Sequence, residues 1–173
     1  MIYENIQEEL QILKQLPEPV VTWFRANKRE LPWRDHPDAY RVWVSEIMLQ
    51  QTRVEAVKSY YQRFLEALPD VKALAEAEED QLLKLWEGLG YYNRVRNMQK
   101  AATQIMVDYG GEFPQTYEEI LSLTGIGSYT AGAISSFAFG LAKPAVDGNV
   151  LRVISRITGS DRDIMKQSVR KRM

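Results

Sequence analysis

The chain has 173 residues, of which 45% are hydrophobic, and its formal net charge is −1. This length and composition suit a folded protein with one sizeable core or two small lobes. The near-zero charge excludes a globally basic protein, so any nucleic-acid interaction must rest on local charge. There is no cysteine and only one histidine, His36, which excludes disulfides, thiolate metal sites and histidine-based triads, and we assign His36 no function.

The N-terminus carries acids where a secretory signal would carry basic residues, and no apolar run approaches membrane-spanning length. We therefore expect a soluble, unsecreted, cytoplasmic protein without a membrane partner.

Apolar residues recur at helical spacing along almost the whole chain, as at Val54, Val57 and Tyr61, and no convincing strand alternation occurs. Glycines and prolines separate these stretches, which predicts an all-α fold of roughly eight to ten short helices. Charge is uneven: residues 66–87 hold seven acids against two lysines, and residues 148–173 hold seven basic residues against two acids. Each run alone is typical of a solvated helix face.

Glu46 is the first candidate catalytic residue, because it stands among apolar residues on a predicted helix. It is either a surface acid on a mostly buried helix or an enclosed carboxyl. In the enclosed case, desolvation would favour the neutral form that a general acid needs near neutral pH.

The segment LTGIGSYTAG, residues 123–132, places Gly125 and Gly127 between two apolar helices. Both glycines allow positive φ and close backbone approach, and the second helix is expected to begin near Ser128 with unpaired amides and a positive dipole end. This pattern is typical of a helix-hairpin-helix motif, which holds a DNA phosphate without reading the sequence. A bare GxG could equally be an ordinary turn between packed helices.

Asp147 precedes the apolar-periodic residues of another predicted helix, so by itself it reads as an N-cap. The hairpin, the loop and Asp147 nevertheless follow one another in an order that resembles that of the glycosylase superfamily.

The chain as a whole resembles the adenine DNA glycosylases of the MutY type. The resemblance rests on segments that keep the family order and spacing: LPWR (31–34), VSEIMLQQT (44–52), WEGLGYY (86–92) with Arg94, Arg96 and Asn97, the hairpin, and DGNV (147–150). It implies the helix-hairpin-helix glycosylase fold, with a six-helix-barrel lobe and an incomplete second helical lobe. The expected division is residues 1–30 packing on the second lobe, 31–140 as the barrel lobe with the hairpin at 117–139, and 141–173 as the start of the second lobe.

The resemblance implies hydrolysis of the N-glycosidic bond of adenine mispaired with 8-oxoguanine or guanine in duplex DNA. Glu46 would protonate the base, and an ionised Asp147 would stabilise the oxocarbenium-like sugar. Tyr129 stands where strand-cleaving relatives carry a nucleophilic lysine, which implies a monofunctional enzyme. Tyr129 and Asn149 would support the reacting centre.

The resemblance also implies which residues contact DNA around the mispair, once the target base leaves the stack. These are Gln51, Thr52, Leu89 and Tyr91, in addition to Gly125, Gly127 and Ser128 of the hairpin. Periodicity alone would place Leu89 and Tyr91 in the core. An adenine pocket near Arg29, Trp33 and Arg34 is a further expectation, although an aromatic residue and two arginines in a loop are as easily structural residues or phosphate contacts.

Full-length members of the resembled family carry further helices, a [4Fe-4S] cluster on four cysteines and a domain that reads 8-oxoguanine. We expect no cofactor in this chain, no small-molecule substrate, a nucleoid-associated location and an incomplete second lobe that exposes apolar residues between Val150 and Ile157. The alternatives are an endonuclease-III-type pyrimidine glycosylase and lyase, an inactive helix-hairpin-helix DNA-binding fragment, and an all-α interaction domain without a DNA function.

Overall fold

A computed structural model describes residues 2–35 and 37–170, and His36 lies outside the described residues. Every regular element in these ranges is a helix, which confirms the all-α prediction. In chain order they are α1 (Ile2–Gln15), α2 (Pro17–Asn27), a 3-10 helix (Pro32–Arg34), α3 (Ala39–Leu49), α4 (Val54–Ala67), α5 (Val71–Glu76), α6 (Glu79–Trp86), α7 (Asn93–Asp108), α8 (Tyr117–Ser122), α9 (Ser128–Phe139), α10 (Gly148–Ile157) and α11 (Gln167–Arg170).

The described ranges contain more helices than the sequence pattern predicts. Helices as short as α5 and α11 do not span the two turns over which a helical period of apolar residues can be recognised. Within the described ranges, no helix combines the length and apolar character needed to cross a membrane.

The chain divides into two compact units. Leu31–Ala145 forms the larger unit, and the residues up to Glu30 together with those from Val146 onward form the smaller one. The larger unit begins at the same residue as the predicted barrel lobe, whereas the lobe assignment itself stays a prediction.

The core of the larger unit is built on α3. This helix packs against α4 and α9, while α5 packs against α7, and α6 against both α4 and α7. Trp43, Phe64 and Trp86 are fully buried, and the rings of Phe64 and Trp86 meet edge to face with centroids 6.0 Å apart. Truncating one such aromatic residue to alanine typically costs about 3–5 kcal/mol, so these three residues dominate the packing of the unit.

Local capping sets where several of the helices begin. The carboxylates of Asp38 and Asp70 accept hydrogen bonds of 2.8 Å from the Arg41 and Ala73 amides at the starts of α3 and α5. At the start of α8, Thr116 forms a reciprocal capping box with Glu119. Each cap satisfies an amide that the helix itself leaves without a partner, and contributes on the order of 1 kcal/mol.

Helix α9 ends at Gly140, whose left-handed conformation (φ 66°) closes the helix. The chain then doubles back along α9, so that the backbone at Pro144 lies against Gly132. A Cβ atom at position 132 would collide with the Pro144 carbonyl oxygen. Glycine is therefore required here by a close approach of backbone to helix, on the segment that leads to Asp147.

Gly132→Ala is expected to destabilise the protein by roughly 1–2 kcal/mol, because overpacking costs about 1–3 kcal/mol and exceeds the gain in helix propensity. Propensity alone would predict the opposite sign, since alanine stabilises a helix interior by about 0.5–1 kcal/mol relative to glycine. The measurement is the free energy of unfolding in urea.

Gly148→Ala is the matched control, because Gly148 is also helical but a Cβ there would meet nothing within 4 Å. Its stability should stay the same or rise slightly. If Gly132→Ala were as stable as the original chain, or more stable, the loop at Pro144 would be able to move aside without a loss of stability.

The smaller unit contains α1, α2, α10 and α11. Helices α1 and α2 pack on each other, and Arg162 pairs with the mostly buried carboxylate of Glu9 at 3.3 Å. As the sequence predicts, Val150, Val153 and Ile157 of α10 are exposed. Further exposed apolar residues lie on α2, of which Trp23 is the largest.

Candidate functional site

Glu46 lies on the most buried helix of the larger unit. Eight of the eleven residues of α3 are buried, including both neighbours of Glu46 in the chain, Ser45 and Ile47. Glu46 itself is half-buried. Glu46 is therefore neither fully exposed nor fully enclosed, and it lies on a well-packed helix.

Directly after α3 comes a short loop, residues 50–52, which we call the Gln51 loop. Gln51 is exposed and takes the left-handed conformation, with φ 58°. Thr52 is half-buried, and its hydroxyl donates to the Gln50 carbonyl oxygen at 3.3 Å. A non-glycine residue with positive φ is uncommon and often marks a functional loop.

The second feature is the turn at residues 88–92, which we call the glycine turn. Gly88 and Gly90 have φ of 99° and 70°, and Tyr91 follows with φ 49°. Tyr91 is 66% exposed, whereas Leu89 is only 7% exposed and belongs to the core. Of the two predicted contact residues in this turn, only Tyr91 is presented to solvent, and the burial of Leu89 favours its interpretation as a core residue.

The side chain of Arg94, at the start of α7, joins the Gln51 loop to the glycine turn. Its Nη1 donates to the carbonyl oxygens of Ile47 and Gln50, both at 2.7 Å, and its Nη2 donates to Leu89 and Gly90 at 3.0 and 3.2 Å. Burial lowers the pKa of Arg94, but an arginine stays protonated at any ordinary pH. A single charged group thus holds both segments.

Beside Arg94 lies a cleft of about 160 Å³. It extends from Gln50 at the end of α3 to Thr124 and Gly125 of the hairpin, and Asn97 lies between them on α7. The cleft therefore brings three of the sequence motifs, segments 44–52, 86–97 and 123–132, to one side of the larger unit.

The predicted hairpin is present, with α8 and α9 packed on each other. Gly125 has φ 79°, and a Cβ there would lie 2.7 Å from that of Asn97, so both of the predicted reasons for glycine hold at this position. Gly127 uses neither property, because it has φ −95° and serves as the N-cap of α9 with nothing within 4 Å of a Cβ. It is a helix cap, and positive φ is needed only once in this turn.

Helix α9 begins at Ser128, as predicted, and Ser128 is exposed. The first-turn amides of a helix have no carbonyl partner inside the helix, so an exposed N-terminus can bind an anion. Tyr129 is half-buried in the same turn. The hairpin thus has the exposed helix start that phosphate binding requires.

The predicted pocket residues differ in their surroundings. Trp33 is buried, and its ring meets that of Tyr61 edge to face at 5.5 Å. Burial raises the pKa of Tyr61 to about 12, so this ring pair is uncharged at neutral pH. Arg34 and Arg29 are both exposed, Arg34 in the larger unit and Arg29 in the smaller one. The structure thus assigns Trp33 to the core, which the sequence treats as an open alternative.

Asp147 lies in the smaller unit, at the start of α10. One carboxylate oxygen accepts from the Val150 amide at 2.8 Å, and the other accepts from the Asn149 side-chain amide at 2.9 Å. Asp147 is therefore an N-cap, as its position in the sequence indicates, and it is also half-buried and oriented by Asn149.

A metal site is not supported by the residues present. Among the described residues no cluster of three or more His, Cys, Asp or Glu side chains could hold a metal ion, and the chain has no cysteine. A cysteine-bound iron–sulfur cluster therefore does not fit this chain, and none of the chemistry below depends on one.

Sequence reasoning missed the role of Arg94, although this residue is part of the motif that carries the resemblance. The signal was an arginine directly after a glycine-rich turn and three residues beyond Tyr91, but the carbonyl groups that it binds lie 44 to 47 positions away as well as in the turn. Sequence spacing cannot show such a contact.

Comparisons with known proteins place the chain among DNA repair proteins. Residues 44–173 match the model of the HhH-GPD superfamily base excision DNA repair proteins. The adenine DNA glycosylase of Homo sapiens is 46% identical over an alignment of 147 residues, which covers 80% of this chain and 27% of the relative. That of Schizosaccharomyces pombe is 38% identical over an alignment of 174 residues, which covers 89% of this chain and 38% of the relative. The chain thus spans less than half the length of the curated relatives it matches.

Two solved structures have the same fold. A thermostable thymine-DNA glycosylase superposes with a TM-score of 0.79 at 25% identity, covering 96% of this chain and 76% of the other. Endonuclease III in a non-covalent DNA complex superposes with a TM-score of 0.71 at 27% identity, covering 84% and 66%. The chain therefore belongs to the HhH-GPD superfamily of base excision DNA repair proteins.

Proposed function

We propose that this chain carries the catalytic residues of an adenine DNA glycosylase, which hydrolyses the N-glycosidic bond of adenine mispaired with 8-oxoguanine or guanine in duplex DNA. The observation that carries the proposal is the carboxyl of Glu46, half-buried on a helix whose neighbouring residues form the core. The names of the curated relatives support adenine as the base.

Glu46 acts as the general acid in this proposal. Adenine is a poor leaving group as an anion, so a proton on a ring nitrogen lets the base depart neutral. The pair of bonding electrons leaves with the base, and the sugar becomes an oxocarbenium-like cation. A partly desolvated carboxyl on a rigid helix suits this step, because desolvation favours the protonated form.

Asp147 stabilises the cation in its ionised form. Its two oxygens already accept from the Val150 and Asn149 amides, so the carboxylate is oriented before the substrate binds and need not reorganise. Water then adds to the sugar carbon, and the proton that it loses returns to solvent or protein. The two carboxyl groups thus have different roles: Glu46 is the general acid and Asp147 stabilises the cation, as in glycoside hydrolysis.

The enzyme is monofunctional in this proposal, because Tyr129 cannot form the Schiff base that a lysine forms with the opened sugar. The DNA is held by the amides at the start of α9, which bind phosphate without reading sequence. Tyr91, exposed on the glycine turn, fills the gap that the flipped base leaves. The proposal assigns neither specificity for the base opposite adenine nor an iron–sulfur cluster to any residue of this chain.

The test is a single-turnover assay of this chain on a duplex with one 8-oxoguanine:adenine pair. We expect free adenine to appear and the DNA strand to stay intact until hot alkali cleaves it at the abasic site. Borohydride added during the reaction should trap no covalent adduct.

The remaining outcomes separate the alternatives. A trapped adduct with strand cleavage would identify a lyase of the endonuclease III type. Duplex binding that weakens with added salt, without release of adenine, would leave a DNA-binding module. Absence of both binding and release would overturn the proposal for this chain.

A further inference from the structure

The carbonyl groups at the end of α3 need partners from outside the helix. The last carbonyls of any helix have no amide partner within it and form the negative end of its dipole, which a cation stabilises. Helix α3 has no basic residue in its own last turn. Arg94 of α7 supplies the cation, through the two 2.7 Å contacts of Nη1 and a longer one of 3.4 Å to the Met48 carbonyl.

The glycine turn is held from the inside by the same side chain. Nη2 of Arg94 binds the carbonyls of Leu89 and Gly90, and the buried Trp86 indole also donates to Gly90 at 3.0 Å. The guanidinium lies 5.3 Å from the Trp86 ring centroid and 5.7 Å from that of Tyr91. Arg94 therefore contacts the glycine turn through two of its carbonyl groups and through the ring of Tyr91, and it also contacts the ring of Trp86.

We propose that Arg94 is a positioning residue that locks the Gln51 loop and the glycine turn into one register, so that Tyr91 enters the DNA base stack beside Gln51. The inference rests on the proposed function, because it names the residue that orients the DNA-inserting segment. Arg94 acts through these two segments and does not itself touch the reacting atoms.

Only arginine fits this role. Its planar guanidinium carries several N–H donors in a fixed fork, and here two nitrogens donate to opposite segments at the same time. A lysine has one compact ammonium group that cannot donate to both segments at once, so it would hold neither segment firmly. Both segments also contain a non-glycine residue with positive φ, Gln51 and Tyr91, and such conformations persist only where the surroundings hold them.

The test compares Arg94→Lys with Arg96→Lys. Arg96 lies on the same helix two residues further on, but its guanidinium forms an exposed ion pair with Glu79 at 2.9 Å. The chemical change is the same, and only the contacts differ. Amide hydrogen exchange of the free proteins at residues 50–52 and 88–92 measures the coupling of the two segments. Fluorescence of a 2-aminopurine placed beside the mispair measures insertion into the stack.

We expect Arg94→Lys to raise exchange in both segments together and to weaken the 2-aminopurine response about tenfold or more, because each hydrogen bond to a charged group contributes on that order. Arg96→Lys should change neither. In a Tyr91→Ala background the effect of Arg94→Lys on fluorescence should disappear, since the side chain through which Arg94 acts is gone. If Arg94 had a purely structural role, Arg94→Lys would still change the fluorescence in the Tyr91→Ala background.

Two results would overturn the inference: unchanged exchange and fluorescence in Arg94→Lys, or exchange that rises in one segment only. If Arg94→Lys fails to fold, the Arg94→Gln variant, which keeps a planar donor, repeats the comparison. Failure of the proposed function is distinguishable from failure of this inference. A chain that shows the expected exchange and fluorescence changes but releases no adenine would support the positioning role of Arg94 and contradict the proposed chemistry.

Discussion

Glu46→Gln lowers the single-turnover rate of adenine release by about 10²- to 10⁴-fold, the usual contribution of general acid catalysis. Glutamine keeps the size and hydrogen-bonding shape of the side chain at this half-buried position of α3, but it cannot deliver a proton to the base. Duplex affinity should remain within a few fold of the original value, because the hairpin and the glycine turn are unchanged. The measurement is adenine release with enzyme in excess over an 8-oxoguanine:adenine duplex.

The control for this prediction is Glu55→Gln. Glu55 lies at the start of α4, exposed and paired with Lys58 at 2.9 Å, and an exposed ion pair contributes only about 0–1 kcal/mol. Its release rate and stability should match those of the original chain. A Glu46→Gln variant that released adenine at the original rate would remove this carboxyl from the mechanism.

Asp147→Asn keeps the fold and loses catalysis, with a fall in release rate of about 10²- to 10³-fold, as for other preorganised charge-stabilising groups. Asparagine is as good an N-cap as aspartate, so the bond to the Val150 amide and the start of α10 are preserved. The substitution removes the negative charge that would stabilise the developing cation, together with the hydrogen bond from the Asn149 side chain, because an amide nitrogen cannot accept it. Thermal unfolding and the release rate, measured on the same preparation, separate the two contributions.

Asp147→Ala removes cap and charge together and should lose on the order of 1 kcal/mol of stability in addition to activity. Asp70, which caps α5 with the same 2.8 Å geometry, provides the comparison. Asp70→Asn should leave stability unchanged and Asp70→Ala should lower it by a similar amount, neither with a direct effect on the chemical step. Full activity in Asp147→Asn would reduce Asp147 to a helix cap.

Features governed by local physics were predictable from the chain. The all-α class follows from apolar spacing, and the start of α9 at Ser128 follows from the glycines before it. The cap at Asp147 follows from an aspartate directly before an amphipathic helix. Each depends on residues within one or two turns of each other, where sequence spacing and spatial spacing are the same.

The errors and omissions all concern contacts between distant segments. Gly125 and Gly127 are equivalent in the sequence, yet only Gly125 lies against Asn97 and needs positive φ. Leu89 and Tyr91 are two residues apart on one turn, and the packing of the core buries the first and exposes the second.

By itself the sequence determined the all-α class, the cap at Asp147, the hairpin and, through residues held in common with its relatives, the family. Only the tertiary structure decided which glycines are required, which side of the glycine turn faces solvent, and that Arg94 joins this turn to the end of α3. The physical reason is that helix formation and capping depend on neighbours along the chain. The unpaired carbonyls at the end of α3 instead bind Arg94, a cation that is distant in the sequence and that folding brings close.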